Sequence, residues 1–147
     1  MTIDKTYVTQ NNRRAGGTEW DVGGKLNINN GGVLQIEPGG MLLESVAEGL
    51  TAFAAGGQAN ATPMPALINR FTTVAAANAS ALLPASQSQT GVTVTAINAG
   101  ANPMQVFGSG TDTINGAPAA TGVTLPAGKT AFFVTTLPGT WHMLLSA

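Results

Sequence analysis

The side chains able to carry chemistry in this sequence are few and scattered. Its single histidine, His142, stands beside Trp141 in the last strand-like run. A histidine can serve as general base or metal ligand. Here its neighbours Trp141 and Met143 take the opposite face of a strand, which turns His142 to solvent or to an interface. A nucleophilic triad also needs an acid to orient the imidazole and an activated serine. Asp112 is the one acid in the same half of the chain, and no Gly-x-Ser-x-Gly elbow exists. Glycoside hydrolysis needs two carboxylates facing each other across a cleft. Glu37, Glu44 and Glu48 are the sole acidic cluster, and a solvated face accounts for them.

Gly108-Ser109-Gly110-Thr111-Asp112 faintly evokes a phosphate loop but lacks the Gly-Lys-Ser/Thr ending and a following helix. Asp112 with Thr113 and Asn115 offers one carboxylate, far below the oxygen count that calcium takes. Trp141 has the chemistry to stack on a sugar; its position in a strand fits a core or inter-chain aromatic better. There is no cysteine, so disulfides, thiolate zinc sites and thiol catalysis are excluded. The expectation is a chain with no catalytic, metal or cofactor site, and not an enzyme.

Composition points the same way. Charged residues are 9% of the 147, against about 25% in an ordinary soluble domain. The net charge of −1 leaves no broad basic surface for phosphates, so nucleic acid is not an expected partner. From Ser80 onward Asp112 and Lys129 are the only charges. So little charge suits a protein that buries much of its outside against copies of itself or a partner. The N-terminal Met1-Thr2-Ile3-Asp4-Lys5 lacks the apolar stretch of a signal peptide, and no apolar run approaches the ~18–20 residues that span a bilayer. Synthesis in a cytoplasm and no membrane partner are expected.

The elements that would position a site begin with a repeat. Gly-Gly recurs at 23–24, 31–32 and 39–40, a period of eight, in units of Gly-Gly-x-Leu-x-Ile. Leu26, Leu34 and Leu42 share one phase; Ile28 and Ile36 share the next, where the third copy has Glu44. The apolar pair of each unit is two residues apart and so points to one face of a strand. The repeat fits a meander with turns at Asn30-Gly31 and Pro38-Gly39, or the coil of a parallel β-solenoid. In either form the face of Leu26, Ile28, Leu34, Ile36 and Leu42 needs cover, and identical chains around an axis are the simplest source. These five are the expected oligomer interface.

Before the repeat, residues 1–22 read as an N-terminal arm, with Asn11 to Gly17 as loop. After it, Val46, Leu50 and Phe53 have helical spacing, so segment 23–57 is read as the repeat plus one short helix ended by Gly56-Gly57. Residues 58–65, polar and with Pro63 and Pro65, read as a linker. Residues 66–147 read as a β-domain. Gly91 to Ile97 and Met104 to Phe107 alternate with period two. Asn115-Gly116, Pro126-Ala127-Gly128 and Pro138-Gly139 mark turns, the last two before Thr130–Thr135 and Thr140–Leu145. About seven strands so spaced favour a small antiparallel β-sandwich or barrel, giving an all-β chain.

Ile68-Asn69-Arg70-Phe71-Thr72-Thr73-Val74-Ala75-Ala76-Ala77 opens a series of segments with a familiar order. It is followed by the run Val94 to Phe107, by Asp112-Thr113-Ile114-Asn115-Gly116, by Ala127 to Phe132, and by Gly139-Thr140-Trp141-His142. Together these resemble a β-domain of tailed-bacteriophage structural proteins, over roughly the C-terminal half. The Gly-Gly repeat resembles the shaft-like segments of trimeric phage appendages. The resemblance implies a virion component: a decoration or cement protein on the outer capsid surface, partnered by the major capsid protein and by itself, most simply as a trimer. The alternative it implies is a head-fibre or tail-fibre tip that binds a host glycan. In the decoration reading the arm, through Lys5, Tyr7, Arg13 and Arg14, would contact the capsid. Arginine offers bidentate bonds to carboxylates for such a contact.

Overall fold

The computed structural model describes residues 26–28, 30–88 and 90–147, and only the backbone of Asn11–Arg13 and Trp20–Val22. Two compact units divide the chain, Met1–Leu42 and Leu43–Ala147. The fold is all-β, with no helix among the described residues.

In the first unit β1 (Asn11–Arg13) pairs antiparallel with β2 (Trp20–Val22), Arg13 opposite Trp20. The loop expected at Asn11–Arg13 is therefore a strand. Its pairing comes from a partner seven or more residues away, which local composition does not report. Further on, turns stand at Asn30-Gly31 and Pro38-Gly39 as the repeat predicts, the second closed by Gly40 N–H donating to Glu37 O at 2.9 Å. Residues 26–28 and 30–45 carry no strand between those turns. Among the described residues of the repeat, neither a solenoid coil nor a laddered meander is therefore formed.

The second unit alternates between two sheets. β3 (Val46–Thr51), β5 (Ile68–Thr73) and β7 (Thr93–Asn98) run parallel in one. β4 (Thr62–Pro63), β6 (Ala79–Leu82) and β8 (Met104–Phe107) run parallel in the other. Each pair of strands is one turn of a solenoid, with starts roughly 22 to 25 residues apart. The stack then changes direction. β9 (Thr113–Ile114), β10 (Val123–Leu125), β11 (Thr130–Leu137) and β12 (Thr140–Leu145) complete the sheets, β10 antiparallel to β8 and β11 antiparallel to β7. The final orders are β3-β5-β7-β11-β12-β9 and β10-β8-β6-β4. The sheets are therefore mixed, where purely antiparallel ones were expected. A strand's period of two is the same for both pairings, and here the crossover between parallel neighbours is a strand of the opposite sheet.

Inward positions of both sheets meet in one core. Val94 and Ala96 of β7, Ala131 and Phe133 of β11 and Phe71 of β5 pack with Ala79, Ala81, Met104, Val106 and Leu125 of the smaller sheet and with Trp141. Each large member stabilises the fold by about 2–3 kcal/mol through burial. Two inward asparagines would be costly without partners. Asn69 brackets the Ala66 backbone, and Asn98 Nδ2 donates to Asn102 O and Leu125 O at 2.9 and 3.0 Å. Among the described residues every buried side-chain nitrogen and oxygen is hydrogen-bonded.

Two expectations for residues 46–65 change. The short helix is β3. Gly49, at φ +75°, bulges the strand, so Ala47, Leu50 and Ala52 rather than alternate residues turn inward. Of the three apolar residues with helical spacing, only Leu50 turns inward; Val46 and Phe53 are exposed. The linker at 58–65 is part of the second unit: it contains β4, and Ala61 and Met64 are buried.

Candidate functional site

The chemically equipped side chains fall into separate places. His142 is exposed on β12, and its Nε2 lies 2.9 Å from Thr136 Oγ1. Trp141, next to it, is wholly buried and so offers no platform to a sugar. Glu48 of β3 pairs with Arg70 of β5, both well exposed. Glu37 accepts a hydrogen bond from Gln35 in the first unit, while Glu44 and Glu48 belong to the second. Among the described residues no three His, Cys, Asp or Glu side chains group closely enough to hold a metal.

Asp112 is the one elaborate polar site. It is fully buried, and its carboxylate is filled with donors. Ser86 N–H and Oγ donate to Oδ2 at 2.8 and 2.9 Å, Trp141 Nε1 reaches Oδ2 at 3.4 Å, and Gln87 Nε2 donates to Oδ1. Three donors converge on Oδ2 and one on Oδ1, so the carboxylate is held in place as a hydrogen-bonded structural group. Gly108 makes room for it: a Cβ there would stand 2.4 Å from Asp112 O. Gln58 ties the same loop down by donating to Gly108 O and Gly110 O at 2.7 and 2.8 Å. The phosphate-like Gly108–Asp112 stretch is therefore a locked loop around a structural carboxylate. Nothing local marks Ser86, Gln58 or Gln87 for this in the sequence. The available signal is that Asp112 is one of only two charges beyond Ser80.

What remains as surface chemistry is apolar. The repeat residues Leu26, Ile28, Leu34, Ile36 and Leu42 are 53, 44, 63, 45 and 69% exposed, and Val33, Met41 and Leu43 are about 80% exposed. Transfer of the five repeat positions out of water is worth about 1 kcal/mol each at these exposures, or about 5 kcal/mol per chain. Monomeric proteins seldom leave so continuous an apolar run uncovered. Of the capsid-contact residues expected in the arm, Lys5, Tyr7 and Arg14 lie outside the described residues, and Arg13 is described only as backbone at the end of β1. No helix among the described residues is long and apolar enough to cross a membrane. Compared with known proteins, the chain matches no family model, no curated protein and no solved structure.

Proposed function

We propose that this chain is a virion structural protein that decorates and stabilises the outside of a tailed-phage capsid as a homo-oligomer, with the major capsid protein as its partner. The observation that carries the reading is the exposed apolar repeat, Leu26 to Leu42, whose two-residue spacing and turns make a surface without cover in one chain. Copies arranged around an axis supply that cover, most simply as a trimer. Each copy then adds weak contacts to the shell, and multivalency multiplies them. A charge-poor second unit whose one buried carboxylate is tied into structural hydrogen bonds fits cementing. The burial of Trp141 removes the aromatic that best supported a glycan-binding tip.

The test mixes purified protein with undecorated capsids and images them by cryo-microscopy, alongside intact virions. The expected outcome is regular density on the head exterior, with lower occupancy after deletion of residues 2–14, which carry Lys5, Tyr7, Arg13 and Arg14. Density confined to the tail or to a fibre tip would refute the decoration reading and favour the glycan-binding one. Ile28→Asp with Leu34→Asp should convert the oligomer to monomer or aggregate.

A further inference from the structure

The two outer faces of the second unit differ in kind. On the smaller sheet the face is polar: Thr124 Oγ1 donates to Gln105 Oε1 at 2.9 Å. On the larger sheet a mostly apolar row, interrupted by Thr95, crosses five strands. Val46 is opposite Ile68, Ile68 opposite Thr95, Thr95 opposite Phe132, and Phe132 opposite Leu144. Val46 and Leu144 are each 61% exposed, and Phe132 is 42% exposed. The polar groups at its margin are already partnered, Glu48 with Arg70 and His142 with Thr136. Covering this face would leave no charge unpaired, and the side-chain hydroxyls it would bury belong to threonines such as Thr95 within the row.

We propose that this face of the larger sheet packs against the same face of a second copy of the chain. It rests on the homo-oligomer reading made from residues 26–42 and adds a second, separate contact. Three observations favour a copy as occupant. The only full charges on the face, Glu48 and Arg70, cancel locally, so identical faces meet without repulsion. The face is about 24 Å across five strands and about 20 Å along them, near 500 Å² in projection. Side-chain relief raises the accessible area toward the ~600–1,000 Å² per partner of a stable interface. The branched and aromatic side chains of this row also suit face-to-face sheet packing, which needs a second sheet.

The test is sedimentation equilibrium of the full-length protein across micromolar concentrations, for wild type, Leu144→Glu, Phe132→Lys and, as control on the other sheet, Thr124→Glu. Near-UV circular dichroism from buried Trp141 checks that each variant is folded. The two face variants should raise the dissociation constant at least 100-fold, and the control should leave it within about 3-fold. Phe132→Cys, the sole thiol in a cysteine-free chain, should give a disulfide-linked dimer on mild oxidation. If both face variants assemble like wild type and Phe132→Cys does not cross-link, while Ile28→Asp with Leu34→Asp still dissociates the protein, this face is not an interface and the repeat alone holds the oligomer. A monomeric wild type would overturn this inference and the oligomer reading together. A monomer whose capsid binding is lost in Leu144→Glu would replace the second copy with the capsid as occupant.

Discussion

Replacing Asp112 with Ala removes the acceptor on which four donors converge. Three of those donors, Ser86 N–H, Ser86 Oγ–H and Trp141 Nε1–H, belong to wholly buried residues with no water to turn to. A buried donor left unpaired costs about 1–3 kcal/mol, and loss of charged hydrogen bonds adds to it. Gln87 is exposed and recovers its bond from solvent. The sum is a destabilisation of roughly 3–5 kcal/mol, a large part of the ~5–15 kcal/mol of an ordinary domain. For a unit of about 100 residues the unfolding entropy is near 0.2 kcal/mol per degree, so Tm should fall by roughly 15–25 °C. Asp112→Asn should fall less, about half as far. Its oxygen can still face Ser86 and Trp141, and its amide can donate to Gln87 once that side chain turns over. The assay is thermal unfolding followed by the fluorescence of Trp141, in a Trp20→Phe background so that one indole reports. A fall under about 4 °C for Asp112→Ala, or a larger fall for Asn than for Ala, would refute the account of the carboxylate as the loop's anchor.

Three further outcomes follow from the fold. A fragment of residues 43–147 should show a cooperative unfolding transition, whereas 66–147, which lacks buried Ala52, Ala61 and Met64, should not; circular dichroism during heating distinguishes them. Gly108→Ala should destabilise by about 2–4 kcal/mol in urea titration, because its methyl would meet the backbone carbonyl of Asp112. Glu48→Gln should change stability by less than about 1 kcal/mol by the same measurement, since the Arg70 pair is exposed to solvent.

What was legible in the sequence was whatever local chemistry dictates. Asn115 and Gly116 both adopt positive φ, 52° and 76°, in a tight turn closed by Ala117 N–H on Ile114 O, as the dipeptide predicts. Alternation placed β7, β8, β11 and β12 within a residue or two, and it turned His142 away from Trp141. What escaped depends on distant partners. Parallel pairing of β3, β5 and β7 leaves no mark on a single strand, and the uneven spacing of the solenoid turns hid their period. The bulge at Gly49 broke the alternation by which β3 would have been read as a strand. Asp112 was visible as an isolated charge, but its role comes from Ser86 and Gln87, about 25 residues upstream, and from Trp141, 29 downstream.

The second unit begins with β3, bulged at Gly49, and with β4, which contains Pro63; at its other side the parallel stack gives way to antiparallel β10 and β11. A stack of parallel coils is by nature extensible, because its terminal strands are templates for one more layer. Here the leading end is crooked and short of a donor, and the trailing end has lost the polarity that another coil would match. Both ends thereby disfavour the addition of a further coil. If copies associate as proposed, they meet through their sheet faces and their repeats, which favours closed assemblies over filaments of indefinite length.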